Sequence, residues 1–186
     1  MKNLFMAISI ALFSINAYAQ DTQRVFGDLN KDGIDDLVEV KSIDNGDNAI
    51  SYNLKIYFLD AKKNKKLIIS TDKAIEEHTN GDGESFDNAV IKNGALQLNY
   101  SFIRGGSTHI FRYQNGAFEL IGFKYGNSDG NGHMTNIDFN LSTGHYIYKS
   151  SNYETDKVLS KTDKIIKIKP LPNLATFEPY VSKYGY

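Results

Sequence analysis

The chain has 186 residues, a formal net charge of −1 and no cysteine. The nearly balanced charge excludes a strongly basic nucleic-acid-binding protein, because no cationic excess is available to neutralise phosphates. The lack of cysteine excludes disulfides and thiol catalysis, so stability must come from the hydrophobic core, with help from any bound metal.

The first 19 residues have the pattern of a secretory signal peptide. Lys2 supplies a positive charge, an apolar run extends from Leu4 to Ile15, and Ala17-Tyr18-Ala19 forms a small-x-small cleavage site. We therefore expect an exported protein, periplasmic or secreted, with one domain over residues 20–186. The apolar run is too short to span a bilayer comfortably and no later stretch comes close, so we expect no transmembrane segment in the mature chain.

Residues 28–36, with the sequence DLNKDGIDD, predict a calcium-binding loop. Side-chain oxygens recur at alternate positions, and Gly33 follows the third of them. Ca²⁺ takes six to eight oxygen ligands, and a short loop presents them only if it turns sharply. Asp35 is expected to face solvent or to hydrogen-bond the turn, with donation to the metal through a water as a further alternative. The alternative to a metal site is a solvated Asx turn. The expected ligands are the side chains of Asp28, Asn30, Asp32 and Asp36 and the backbone carbonyl of Ile34.

The flanking sequence distinguishes this loop from an EF-hand. An EF-hand places a helix on each side and a bidentate glutamate at position twelve. Position twelve here is Glu39, but residues 37–40 have the apolar pattern of a strand, and nothing before Asp28 predicts a helix. The sequence therefore predicts a site between two strands.

The next segments predict more strands. Residues 52–59 alternate between apolar and polar side chains, with Leu54, Ile56 and Phe58 on one face. Residues 66–69 can return as the hairpin partner of that strand, after a charged turn. Residues 71–78 are the best candidate for a short helix, although eight residues are marginal for any helix.

The second half predicts three consecutive hairpins. Their turns contain Asn93-Gly94, Asn115-Gly116 and Thr143-Gly144, and Asn-Gly is a strong hairpin signal because both residues tolerate positive φ. Residues 164–169 predict an edge strand protected by lysines, and residues 170–186 an extended tail. We therefore expect an all-β fold with at most one short helix: an antiparallel meander of hairpins in a single sheet-rich domain, and not a complete propeller.

The calcium loop also resembles a known family. Residues 25–40, and in particular FGDLNKDGIDDLV from Phe26 to Val38, resemble the calcium loops of FG-GAP and VCBS repeats, which occur in integrin α-chain propellers and many secreted bacterial proteins. The resemblance implies one structural Ca²⁺. A propeller needs about four or more blades, which one copy in this length does not provide. The turns and strands from Val90 to Pro172 are similar to small exported bacterial proteins that pair one such loop with a β-rich body, a group without an assigned activity.

No motif in the chain predicts catalysis. The four histidines lack the close helical spacing of a zinc pair, and no serine has a nucleophile-elbow context. His109 and His145 are expected to be half-buried surface residues of strands. An aromatic set in the second half is better explained by the core and by cross-strand pairing than by a carbohydrate platform. That set is Tyr100, Phe102, Phe111, Tyr113, Phe118, Phe123 and Tyr125.

Three functional hypotheses follow. The first is an exported, non-enzymatic β-domain that binds one structural Ca²⁺ and acts as an interaction or binding module with an unidentified protein partner. The second is a periplasmic immunity-type protein that neutralises a toxin. The third, ranked last, is a hydrolase that uses carboxylates from distant strands, since two acids can meet without a sequence motif.

Overall fold

The computed structural model describes residues 21–46, 49–79 and 83–186, so the predicted signal peptide lies outside the described residues. These residues form two antiparallel β-sheets, neither of which closes into a barrel or a propeller. The predicted all-β meander is therefore confirmed. Within the described part of the chain, no helix is long and apolar enough to cross a membrane.

The smaller sheet contains the N-terminal strands in the order β1-β2-β3-β4, with the two-residue strand β5 paired to the start of β3. The predicted alternation in β3 is confirmed, because Leu54 and Ile56 are fully buried while Asn53 and Lys55 are not. The strands are β1 (Thr22–Gly27), β2 (Asp36–Asp44), β3 (Ala49–Leu59), β4 (Lys65–Thr71) and β5 (His78–Thr79).

The larger sheet is a meander of seven strands in which each strand pairs with its neighbours in sequence. Its three predicted hairpins are confirmed. Asn93 and Asn115 have φ values of 53° and 54°, as the Asn-Gly turns require. The strands are β6 (Glu84–Lys92), β7 (Ala95–Phe102), β8 (Gly105–Gln114), β9 (Ala117–Ser128), β10 (His133–Asn140), β11 (His145–Asn152) and β12 (Val158–Ile165).

One hydrophobic core joins the two sheets. Phe58 of β3 lies edge-on to Tyr113 of β8, with ring centroids 4.9 Å apart, and Tyr52 of β3 packs against Phe86 of β6 at 5.1 Å. Every member of the aromatic set from the second half is either buried in this core or packed against it. Their explanation as core and cross-strand residues is therefore confirmed.

Two sequence expectations are wrong in detail. Residues 72–77, inside the predicted helix, form bends over 72–75 and irregular backbone over 76–77, without a helix. Ala74 and Ile75 are buried there, and Ala74 accepts a hydrogen bond from the Tyr100 hydroxyl at 3.3 Å, so tertiary packing replaces the intrahelical bonds of a short segment. The edge strand predicted over residues 164–169 lies earlier in the chain. It is β12, which runs from Val158 to Ile165.

The C-terminal tail is folded onto the core. A 3₁₀ turn spans Leu174–Thr176, and the Asn173 side chain caps it by accepting the N–H of Ala175. Leu174, Phe177 and Tyr186 are buried. The turn makes the tail less extended than the sequence predicts.

Candidate metal centre

The acidic loop closes the hairpin between β1 and β2. Gly27 at the end of β1 is directly opposite Asp36 at the start of β2, so residues 28–35 form the connection. The expected placement of the loop between two strands is confirmed. Its turn uses two residues with left-handed backbone, Lys31 with φ 66° and Gly33 with φ 85°. A Cβ at Gly33 would meet no atom within 4 Å, so the glycine is required for its conformation and not for space.

Asp28 organises the turn. Its Oδ1 accepts the N–H groups of Lys31 at 2.6 Å and Asp32 at 3.2 Å, and its Oδ2 accepts that of Gly33 at 2.9 Å. These bonds wrap the chain around one half-buried carboxylate. The first expected ligand is therefore also the residue that sets the path of the loop.

Asn30 and Asp32 continue this network on the same turn. Asn30 Oδ1 accepts the Asp32 N–H at 2.9 Å, and Asp32 Oδ1 accepts the Ile34 N–H at 2.8 Å. The Asp32 N–H is thus shared by Asp28 and Asn30, which brings the side-chain oxygens of these two residues close together. Asn30 Nδ2 donates to Asp32 Oδ2 at 2.9 Å. Asn30 Oδ1 retains a second acceptor position beside its bond from the Asp32 N–H, and a cation could use that position.

Asp36 differs from the other expected ligands because it is fully buried. Its Oδ2 accepts the N–H groups of Leu29 at 3.0 Å and Asn30 at 3.3 Å, and its Oδ1 accepts that of Leu59 at 3.2 Å. The carboxylate therefore attaches the loop to the end of β3. Each carboxylate oxygen has about two acceptor positions, so Oδ1 retains one beyond these bonds.

Burial raises the pKa of Asp36 above its ordinary value. The three backbone N–H donors counteract part of this rise, and the nearby Asp32 carboxylate adds to it by repulsion. An ionised Asp36 therefore carries a desolvation cost, and a cation beside the loop would reduce that cost.

Two further residues of the loop can be assigned. Asp35 is exposed, as expected. The loop is anchored in the core by Leu29, which is fully buried, whereas Ile34 is only half-buried. Across residues 21–46, 49–79 and 83–186, no three His, Asp or Glu side chains are grouped closely enough to form a ready metal site. A metal at this loop would therefore depend on the Asn30 amide, the Ile34 carbonyl and local adjustment of the carboxylates.

The histidines do not form a second centre. The expectation for His109 is wrong: it is fully buried among the rings of Tyr100, Phe123 and Phe177, because its side chain is on the core face of β8. His145 is exposed, with Nε2 at 2.8 Å from Asp163 Oδ1, and this contact contributes to lowering the pKa of Asp163.

Acidic residues line several cavities among the described residues, and one cavity of about 480 Å³ has both Asp21 and Asp87 in its lining. A cavity of about 610 Å³ on the outer face of the larger sheet has Asp138 as its one carboxylate, 3.9 Å from Lys124 Nζ. A smaller cavity of about 140 Å³ is lined by Glu76, Glu77 and His78. That volume is well below the range of about 300–1,000 Å³ that is typical of small-molecule sites.

The fold and loop define an all-β protein of two sheets with an Asx-rich turn between β1 and β2. Comparison of the chain with protein-family models, with curated proteins and with solved structures found no significant match.

Proposed function

We propose that this chain is an exported, non-enzymatic β-domain that binds one structural Ca²⁺ at residues 28–36 and acts as a binding module. The observation that supports this most directly is the convergence of Asp28 Oδ1 and Asn30 Oδ1 on a single N–H, that of Asp32. Calcium loops need oxygens gathered on one side of a sharp turn, and this turn gathers them.

The proposed ligands are the side chains of Asp28, Asn30 and Asp32, the Ile34 carbonyl, and Asp36 through the acceptor position left on Oδ1. All are oxygen donors, which suits a hard cation. Asp28 and Asp36 already accept N–H bonds in the loop, so the metal would add to an existing network. Asn30 would use the acceptor position left on Oδ1.

The effect of Ca²⁺ in this proposal is stabilisation. A ligand that binds only the folded state raises the free energy of unfolding, by about 2.7 kcal/mol when it is present at 100 times its Kd. The loop attaches β1 and β2 to the end of β3 through Asp36, so a metal here would stabilise the smaller sheet.

The test compares thermal unfolding of metal-free protein with and without added Ca²⁺. The wild type and Asp35→Ala are expected to gain several degrees in melting temperature, whereas Asp32→Ala is expected to lose most of that gain. Asp35 is the matched control because it is an exposed aspartate of the same loop, outside the proposed ligand set. The quantity compared is the gain on adding Ca²⁺, since Asp32→Ala also removes the acceptor of the Ile34 N–H.

Isothermal titration calorimetry on the same three proteins completes the test. Mg²⁺ is the specificity control, because it demands near-octahedral geometry and loses its water reluctantly. An unchanged melting temperature, in protein shown to be metal-free at the start, would overturn the proposal. So would equal Ca²⁺ gains in Asp32→Ala and Asp35→Ala.

A further inference from the structure

Strand β12 is an exposed edge of the larger sheet. Among the described residues it pairs on one side only, with β11. Every residue of β12 except Thr162 is exposed, including Leu159 at 50% and Ile165 at 61%. An exposed edge of this length presents a row of unpaired backbone groups to another strand.

The alternation of hydrogen bonds between β12 and β11 shows which residues of β12 have unpaired backbone groups. The Ile166 N–H donates to the Gly144 carbonyl at 2.7 Å, and Ile165 is opposite His145 in the register of β12 with β11. Because bonded pairs alternate along an antiparallel ladder, the even-numbered residues from Ser160 to Lys164 bond to β11. The odd-numbered residues therefore direct their N–H and C=O groups away from β11. These are Lys161, Asp163 and Ile165; a β-bulge at Leu159 ends the alternation.

A second copy pairing antiparallel at this edge must place odd-numbered residues opposite odd-numbered residues. Three registers centre on the strand. One puts Lys161 opposite its own copy, one puts Asp163 opposite its own copy, and the third puts Lys161 opposite Asp163. Like charges directly opposite each other are destabilising, whereas opposite charges stabilise the pair. Charge complementarity therefore selects the third register.

We propose that the chain forms a symmetric homodimer by antiparallel pairing of β12 with β12 of a second copy in this register. Each Lys161 is then opposite the other copy's Asp163. Thr162 is opposite itself on the two-fold axis. Each contact occurs twice, as an isologous interface requires.

The side chains of this interface share one face of the sheet. Asp163 is opposite Ile147 and Lys161 is opposite Lys149 in the register with β11, on the face away from the core. The pairing thus places two ion pairs on the solvent side. A net charge of −1 adds little repulsion between copies.

The charged side chains of β12 restrict the register of pairing but do not prevent a second strand from pairing at this edge. Edge lysines generally prevent sheets from joining. Here Lys161 Nζ is 3.2 Å from Asp163 Oδ2 two residues along the same strand, so each copy offers both charges next to each other.

A cysteine cross-link tests the register directly, because the natural chain has no cysteine. Thr162 is in a non-hydrogen-bonded pair at the new edge, where Cα atoms are about 4.5 Å apart, within disulfide range. Thr162→Cys is expected to form a covalent dimer on mild oxidation. Ser160→Cys is the matched control: its two copies are four residues apart along the ladder, about 13 Å, and should remain monomeric. Equal cross-linking of both variants, or of neither, overturns the proposal.

Charge reversal tests the same register in solution by sedimentation equilibrium. Lys161→Asp places two carboxylates opposite each other and is expected to weaken association at least tenfold. Adding Asp163→Lys to it restores opposite charges and should return the wild-type association constant. Lys124→Asp, three strands away on the same face, makes the same change of charge and should leave association unchanged. A wild type that is monomeric at all concentrations, or a dimer indifferent to Lys161→Asp, contradicts the proposed interface.

Discussion

The side chain of Gln23 pairs with the backbone of Ala89 in both directions. Gln23 Nε2 donates to the Ala89 carbonyl at 3.2 Å, and Gln23 Oε1 accepts the Ala89 N–H at 2.8 Å. Gln23 belongs to β1 of the smaller sheet and Ala89 to β6 of the larger one. The side-chain amide of Gln23 therefore bonds to both backbone groups of Ala89 at the edge of β6 and joins the two sheets at this corner.

Gln23→Glu is expected to lower the free energy of unfolding by about 1–3 kcal/mol, measured by urea denaturation at pH 7. A carboxylate cannot donate to the Ala89 carbonyl and would bring a charge against that oxygen. Gln97→Glu makes the same chemical change on the outer face of β7 and should have a small effect. Equal losses in the two variants would show that the contact between Gln23 and Ala89 does not join the sheets energetically.

The same corner contains a close approach of backbone to side chain. A Cβ at Gly27 would be 2.7 Å from Ile91 Cγ2 and 3.1 Å from Ile91 Cβ. Gly27→Ala is therefore expected to destabilise the protein by about 1–3 kcal/mol through overpacking. In a double-mutant cycle, Gly27→Ala should cost less in an Ile91→Ala background, because most of the clashing atoms are gone. Additive losses in urea unfolding would place the strain elsewhere.

Asp36 gives a prediction about the loop that holds without metal. Asp36→Ala leaves the buried N–H of Leu29, and those of Asn30 and Leu59, without their acceptor, and each unsatisfied donor costs about 1–3 kcal/mol. We expect a loss of 3 kcal/mol or more in metal-free protein. Asp36→Asn should fall between the wild type and Asp36→Ala, because one acceptor oxygen remains.

Amide hydrogen exchange provides the local readout for these variants. Faster exchange at Leu29 and Leu59, with little change in β10, is the expected result. Uniform protection across the molecule in Asp36→Ala would contradict the assignment of Asp36 as the attachment of the loop to β3.

Local signals explain why much of the fold is predictable from the sequence. Asn93-Gly94 and Asn115-Gly116 specify tight turns through their own backbone preferences, and the flanking residues alternate with the period of a strand. The predicted helix over 71–78 is wrong because its evidence was also local, while the position of Ala74 is set by the distant Tyr100. Joining of the sheets by Gln23 and Ala89 depends on residues 66 positions apart, which no local pattern encodes.

In the candidate site, too, some features are predictable from local sequence and others depend on distant residues. Gly33 and the Asx network are visible in residues 28–34 alone. The burial of Asp36 depends on the N–H of Leu59, which arrives from the end of another strand. The burial of His109 had a signal in the sequence, because it is two residues before Phe111 and so shares its face of β8. The polarity of histidine favoured the surface, and the parity of the strand was the better guide.

His109 makes the free energy of unfolding depend on pH in a range above that in which carboxylates titrate. Burial lowers the pKa of His109 to about 3, and neither ring nitrogen has a hydrogen-bond partner among the residues that the structure describes. As pH falls below about 6.5, the unfolded chain takes up a proton at this residue and the folded chain does not. Stability is therefore fully present above that pH and declines by about 1.4 kcal/mol per unit below it.

Urea unfolding at pH 7, 6 and 5 is expected to show a loss of about 2 kcal/mol from this residue in the wild type. His109→Phe should remove that loss, because its ring occupies the same aromatic surroundings without a titratable nitrogen. At pH 7 the variant should be at least as stable as the wild type, since the buried imidazole nitrogens lack partners. The lowered pKa values of Glu39 and Asp163 affect stability only near and below pH 4, outside this range. An unchanged pH dependence between 7 and 5 in His109→Phe would show that another group causes it.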